Sequence, residues 1–316
     1  MKIVIVGAGA IGLLIGNFLS KGGHQVTFVE VREDIIAALN NQGIGFMDTG
    51  AEGQNSVVYT KTKAVRYAAD IQECDLVILA VKSFDTFAAI KSVAHLVTKN
   101  SPVLSIQTGL GNLETIEKVE RRNNILGGFT YMGGAGLGPG VVRLGGLGKT
   151  FLGELNGRGS QRAEEICKIF NECDIRTELA DHIIRRLWCK IVVYSAINPV
   201  TGIMRIKNGQ LLDKMESITL AKRLIDEGQQ VAEACGISMA DFKLYDLFFE
   251  ACHQTSENIS SMLLDLISGR RTEIDALNGT IARLGQEKGV PVETHQTLVD
   301  LIKLSEKWGP GFQQPA

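Results

Sequence analysis

The stretch LWCKIVVYSAINP, residues 187–199, holds one cation among apolar side chains: Lys190, two places after Trp188 and directly before Ile191, Val192 and Val193. A lysine is seldom buried without a partner or a purpose. On a helix, Lys190, Tyr194 and Asn198 stand four apart and form a slowly drifting polar stripe. Two readings follow. In one, Lys190 snorkels to the surface beside Trp188. In the other it is desolvated, which pushes its pKa down from about 10.4 towards neutrality. There an ammonium donates its proton efficiently, and a carbonyl that accepts a hydride needs such a donor at its oxygen.

A second polar cluster lies in SENISSMLLDLISGRRTEID, residues 256–275. Asn258 and Ser261 are three apart and share a face if the segment is helical. Glu273 follows Ser261 by twelve residues, ~18 Å along an unbroken helix, too far for one small substrate. The sequence offers a break. Gly269 suits the position just past a helix end, and Thr272 followed by Asp275 resembles a capping box. A turn at 268–272 would let Glu273 open a new helix and fold back. The alternative is one exposed helix with solvated charges.

The third constellation is G-A-G-A-I-G, residues 7–12, between the apolar run KIVIV and a segment with helical spacing at 10–21. Gly7 permits the tight turn, Gly9 lets the backbone approach a pyrophosphate, and Gly12 lets helix and strand pack closely. Ala8, Ala10 and Ile11 complete the loop, and the helix N-terminus offers free N–H groups to phosphate. Glu30, at the end of the next strand, suits a ribose 2′-hydroxyl and hence NAD. Arg32 could instead pair with the 2′-phosphate of NADP. These residues lean to NAD without deciding. No P-loop lysine motif accompanies the glycines.

The elements that must position these groups differ between the two halves. Strands are expected at 2–6, 25–30, 74–81, 102–107 and 124–130, with helices at 10–21, 32–43, 85–97 and 113–120. That alternation specifies a parallel sheet covered on both faces. Small extra strands are expected within 44–61. Twelve glycines between 127 and 157 are interleaved with apolar residues, which favours short strands and tight turns over a linker. Beyond about 180 the spacing is helical, at 182–198, 217–235, 241–267, 272–288 and 294–306. We expect an α/β dinucleotide-binding domain over 1–180 and an all-helical domain over 181–316, with substrate taken up between them.

Composition excludes several classes. The 316 residues are 45% hydrophobic and 22% charged, with a formal net charge of −2 and no basic run, which gives no reason to expect a nucleic-acid partner. The apolar stretches are strand-sized or interrupted by charge, so no membrane span is expected. The N-terminus lacks a small-residue cleavage site, and a cytoplasmic location is expected. The six cysteines form no C-x-x-C pair and the five histidines are scattered, so buried free thiols and no metal site are expected.

These motifs together resemble the ketopantoate reductase family, whose members reduce 2-dehydropantoate to pantoate on the route to coenzyme A. The likeness runs from MKIVIVGAGAIG through DLVILAVKS and LWCKIVVYSAINPVTGI to ENISSMLLDL and RRTEIDALNG. It implies an N-terminal Rossmann-type parallel sheet and a C-terminal helical domain like that of 6-phosphogluconate dehydrogenase. It also implies that Lys190 is the catalytic acid, that Glu273 is catalytic or orients substrate, and that Asn198, Asn208, Asn258 and Ser261 meet a small 2-oxo acid. Lys82 would lie beside the coenzyme, NADP in most of the family, and a homodimer is compatible. Three positions depart from the family pattern: Thr108 and Tyr194 stand where asparagine is usual, and Glu30-Val31 where a basic residue often selects NADP. Thr108 then borders the coenzyme, and Tyr194 the substrate. Three readings therefore stand: ketopantoate reduction, reduction of another branched or aromatic 2-oxo acid on the same scaffold, and a non-enzymatic dinucleotide sensor.

Overall fold

A computed structural model describes residues 1–48 and 56–308. The chain divides into two compact units, one formed by Met1–Gln107 and Asn112–Ile184, the other by Thr108–Gly111 and Arg185 onward. The excursion at Thr108–Gly111 was not anticipated from the sequence.

The first unit alternates strand and helix: β1 (Lys2–Val6), α1 (Ala10–Lys21), β2 (Gln25–Val29), α2 (Glu33–Asn41), β3 (Ile44–Met47), β4 (Val58–Thr60), β5 (Lys63–Val65), β6 (Leu76–Leu79), α3 (Thr86–Val93), β7 (Val103–Ser105), α4 (Asn112–Glu117) and β8 (Ile125–Thr130). It continues with β9 (Gly133–Gly138), β10 (Val141–Gly146), β11 (Thr150–Glu154), α5 (Gln161–Glu172) and β12 (Thr177–Leu179). Eight strands form the main sheet in the order β12-β11-β8-β7-β6-β1-β2-β5. The β-branched runs KIVIV and LVIL sit at its centre because parallel strands are covered on both faces. Ile3, Ile5, Leu14, Ile15, Phe28, Ile78 and Leu104 are the heart of its core.

Two features differ from an all-parallel sheet. β11 runs antiparallel to β8, since the connection through the glycine-rich segment returns the chain as a ribbon rather than by a crossover helix. A second sheet, β4-β3-β10-β9, also forms, in which the glycine-rich stretch supplies β9 and β10. The extra strands expected in 44–61 are β3 and β4; residues 49–55 lie outside the described part.

The second unit contains α6 (Ile183–Met204, beginning at the boundary), α7 (Met215–Ala234), α8 (Leu244–Gln254), α9 (Ser261–Ile267), α10 (Asn278–Lys288) and α11 (Glu293–Trp308). By length and mean hydropathy α6 could reach across a bilayer, but it is mostly buried within the protein. An apolar helix hidden on every face is a core helix. Val192 on α6 packs where Gly228 of α7 has no side chain.

The helix expected at 241–267 is two helices. Thr255, Ser256 and Asn258 favour local hydrogen bonds over the helical ladder. Thr255 Oγ1 donates back to Ala251 O (2.7 Å), Asn258 N to Thr255 O (2.9 Å), and Ser260 caps α9 by accepting from Leu263 N (3.2 Å). Asn258 and Ser261 therefore do not share a helical face. The break expected at 268–272 is present. Gly269 has φ +63°, with Gly269 N donating to Leu266 O and Arg270 N to Asp265 O, a Schellman ending. No α-helix opens at Glu273, however: Ile274–Ala276 is a single 3-10 turn and α10 starts at Asn278. The Thr272 hydroxyl donates to Glu306 instead of forming the expected box with Asp275.

Candidate active site

In the first unit the chain proceeds from β1 to β2 on one side and later returns to β6 and β7 on the other, so the strand order reverses at β1. Ligands of open α/β sheets bind outside the carboxyl ends of strands at such a point. Gly7 to Gly12 follow β1 there. A Cβ on Gly7, which has φ +98°, would fall 2.7 Å from Val81 Cγ1, and one on Gly12 would fall 2.1 Å from Gly7 O. Gly7 is thus required by the close approach of the chain after β6, and Gly12 by the close approach of α1 to the end of β1. Gly9 is the opposite case: it is exposed, and a Cβ on it would meet nothing within 4 Å. The α1 N-terminus has no side-chain cap and no acidic residue in its first turn. Its unmatched N–H groups, at Ala10, Ile11 and Gly12, fit an anion such as a pyrophosphate.

Two neighbours frame this loop. Lys82, half-buried, directly follows Val81, whose side chain touches Gly7. Glu30, after β2, accepts from the backbone N–H of Ala8 (2.9 Å), Val31 (2.8 Å) and Arg32 (3.1 Å). Three donors hold its carboxylate at the end of the loop. Arg32 is exposed and paired with Asp34 (2.7 Å), a surface contact of little strength.

In the second unit Lys190 is buried, with 7% of its surface exposed. It does not snorkel. Burial pushes its pKa down to about 8, while the carboxylate of Glu273 acts against that fall. Glu273 is itself buried. The two groups that were separate motifs in the sequence are therefore brought within electrostatic reach of one another. Tyr194, one turn along α6, lies with its ring centroid 5.5 Å from Lys190 Nζ, and burial pushes its phenol up to about 12. The ring stays neutral and offers its π-face to the ammonium.

Asn198 is buried further along the same stripe. Three residues on, Thr201 Oγ1 donates to Ser260 Oγ (2.8 Å), which joins α6 to the start of α9 where Ser261 is exposed. Asn208 N donates to Asn258 O (3.0 Å) and Asn208 Nδ2 to Thr255 Oγ1 (2.9 Å). The loop 255–260 thus joins Asn208 to Asn258 and α6 to Ser261. Asn208 Oδ1 is buried without a hydrogen-bond partner, an orphan acceptor that a ligand donor would satisfy. The loop carrying Thr108 docks beside the Glu273 turn: Leu110 N donates to Ala276 O (2.8 Å), and Gly109 leaves no room for a Cβ against Ala276.

A long-range hydrogen bond ties α6 to the start of α10, just after the Glu273 turn. Pro199 lies inside α6 and has no N–H, so Ser195 O loses its helical donor. Asn278 Nδ2 supplies one at 2.9 Å. The same nitrogen reaches His295 Nδ1 (3.1 Å), and His295 Nε2 reaches Leu224 O (2.9 Å). Burial pushes the His295 pKa down, which keeps the ring neutral and Nδ1 able to accept. An orphaned buried carbonyl costs about 1–3 kcal/mol, so Asn278 answers the proline. In hindsight, the proline of INP is a signal that some distant donor must exist, but not which one.

A glycine loop at a strand-order reversal, with a buried low-pKa lysine on a separate helical unit, defines a nicotinamide-dependent oxidoreductase. Comparisons narrow the class. The family described as ketopantoate reductase PanE/ApbA matches residues 3–157, and its C-terminal counterpart matches 182–306. The 2-dehydropantoate 2-reductase of Pyrococcus abyssi is 36% identical over 307 residues, covering 97% of this chain and 98% of that one. That of Archaeoglobus fulgidus is 33% identical over 302 residues, covering 96% and 97%. Among solved structures, a PanE/ApbA family ketopantoate reductase from Ralstonia eutropha superposes with TM-score 0.87 at 27% identity, covering 98% of this chain and 99% of that one. A D-mandelate dehydrogenase solved with NADH and anilino(oxo)acetate gives TM-score 0.89 at 25% identity, with coverages of 98% and 99%. The chain belongs to the ketopantoate reductase family.

Proposed function

We propose that the protein is a 2-dehydropantoate 2-reductase in which Lys190 is the general acid. The observation that carries this is the buried Lys190 with pKa near 8 beside Glu273. At neutral pH the lysine is an ammonium with a proton it can release cheaply. Reduced nicotinamide, when bound, supplies the hydride to the keto carbon. Lys190 donates a hydrogen bond to the keto oxygen and passes it a proton as negative charge develops there. Glu273 keeps the lysine charged and orients it. Asn198, Asn258 and Ser261 take the carboxylate and the approach side of the substrate. The orphan acceptor of Asn208 matches a substrate hydroxyl, which 2-dehydropantoate carries.

The coenzyme is NADH in this reading. Glu30, fixed by three backbone donors at the loop end, suits a ribose 2′-hydroxyl and repels a 2′-phosphate. Gly7, Ala8, Gly9, Ala10, Ile11 and Gly12 hold the pyrophosphate in this reading, with Lys82 beside the coenzyme. The protein works in the cytoplasm on a small-molecule substrate. The Tyr194 ring beside Lys190 favours a second reading, in which the preferred 2-oxo acid carries an aromatic group. Absorbance at 340 nm separates these. 2-Dehydropantoate with NADH should show the highest kcat/KM in a panel of branched and aromatic 2-oxo acids with both coenzymes. A higher value for an aromatic 2-oxo acid transfers the assignment to the second reading, and no oxidation with any would overturn both.

A further inference from the structure

We propose that Glu306, on the C-terminal helix α11, is a positioning residue that sets the Glu273 carboxylate against Lys190 by clamping Thr272. The proposal rests on the reading of Lys190 and Glu273 as the working pair.

The segment between α9 and α10 carries Glu273 on one 3-10 turn. A single such turn has poor hydrogen-bond geometry and fixes a side chain weakly by itself. The structure supplies holds at both ends. At the far end Asn278 donates to Ser195 O on α6, five residues past Lys190. At the near end one oxygen of Glu306, Oε1, accepts both the backbone N–H (2.7 Å) and the hydroxyl (2.6 Å) of Thr272. The Thr272 hydroxyl in turn accepts from Ile274 N (3.3 Å), so the bond spans Glu273 itself. Thr272 is buried, with 1% of its surface exposed. The other charges here, Asp275 with Lys303 (2.6 Å) and Arg271 (3.3 Å), are partly exposed pairs that water screens. Glu306 therefore supplies the anchor on the inner side of the turn. With the far end tied to α6, loss of the near end lets Glu273 swing relative to Lys190.

What matters is an oxygen acceptor at this place, not the charge on it. Glu306→Leu removes the acceptor, while Glu306→Gln keeps a carbonyl oxygen for both donors. Glu306→Leu should lower kcat for 2-dehydropantoate about 10- to 100-fold, the scale of an ångström-sized misplacement. It should leave the KM for NADH unchanged and move the alkaline limb of the kcat–pH profile to lower pH, because Lys190 loses the carboxylate that helps hold its proton. Glu306→Gln should retain the wild-type kcat and limb. If Glu306→Leu does not fold, Thr272→Val, which replaces the hydroxyl by a methyl and keeps the backbone N–H, should move both quantities in the same direction by less. An unmoved limb in Glu306→Leu or Thr272→Val, whether or not kcat falls, overturns the clamp; so does Glu306→Gln behaving like Glu306→Leu. Lys190→Met measured alongside separates the two levels. If it turns over normally, the pair itself is wrong; if it is inert while Glu306→Leu keeps the wild-type profile, only the clamp is wrong.

Discussion

In the sheet unit the groups open to an anion are main-chain N–H groups at the start of α1, and their positions follow from the glycines at 7 and 12. In the helical unit the buried polar groups are side chains, and Lys190 comes within electrostatic reach of Glu273 where Asn278, His295, Thr272 and Glu306 link segments distant in sequence. The difference teaches that a backbone site is specified locally, by what a Cβ would strike, whereas a side-chain site is specified by long-range hydrogen bonds. A backbone site should tolerate side-chain changes and fail on crowding. A side-chain site should fail on deletion of single functional groups.

The largest effect should come from that second kind of damage. Lys190→Ala should lower kcat by about 10²–10⁴, the usual range for losing an acid–base group. NADH binding, followed by fluorescence titration, should stay unchanged, because in the proposed reading the coenzyme is held by the other unit's backbone. A parallel loss of NADH affinity would erase the distinction between the two regions.

Crowding the loop is the converse experiment. Gly12→Ala places a Cβ 2.1 Å from Gly7 O, so α1 must move off the strand. Loss of one charge-assisted hydrogen bond to phosphate, about 1.5–3 kcal/mol, corresponds to at least about a tenfold rise in the NADH dissociation constant. Calorimetric titration of the variant checks it; unaltered affinity would show that the phosphates bind elsewhere.

The smallest effect sharpens the account of the helical unit. Asn278→Ala leaves Ser195 O buried without a donor and should cost about 1–3 kcal/mol in urea unfolding. In a Pro199→Ala background the restored N–H at 199 can serve Ser195 O, so the same change should cost less. Equal costs in both backgrounds would mean that Asn278 does not answer the proline.

The same contrast explains what the sequence revealed. The glycine loop, the first strands and helices and the acid after β2 were legible because each rests on a local rule: period, glycine placement, strand-end position. The burial of Lys190 was legible as one of two options, since Ile191, Val192 and Val193 follow it directly while its own helical stripe carries Tyr194 and Asn198. The split at 255–260 shows in the sequence as an interruption: no apolar residue falls between Cys252 and Ile259, and Thr255, Ser256 and Ser260 carry the breaking and capping chemistry, so one helix over 241–267 bridges a gap in its own apolar spacing. The antiparallel return of β11 and the docking of 108–111 beside Ala276 depend on partners far along the chain, which no local pattern names. The same holds for Glu306: a glutamate near the end of an amphipathic helix reads as solvated surface until Thr272 is seen beneath it.

The most direct test of the central claim is the pH dependence of kcat for the wild-type protein with saturating NADH and 2-dehydropantoate. Burial pushes the Lys190 pKa down to about 8, and in the proposed mechanism the ammonium is the donating form. The rate should therefore be level through neutrality and fall as pH rises through about 8, with that limb absent from the residual activity of Lys190→Ala. A profile that stays flat to pH 10, or a limb that persists after the lysine is removed, would contradict the account.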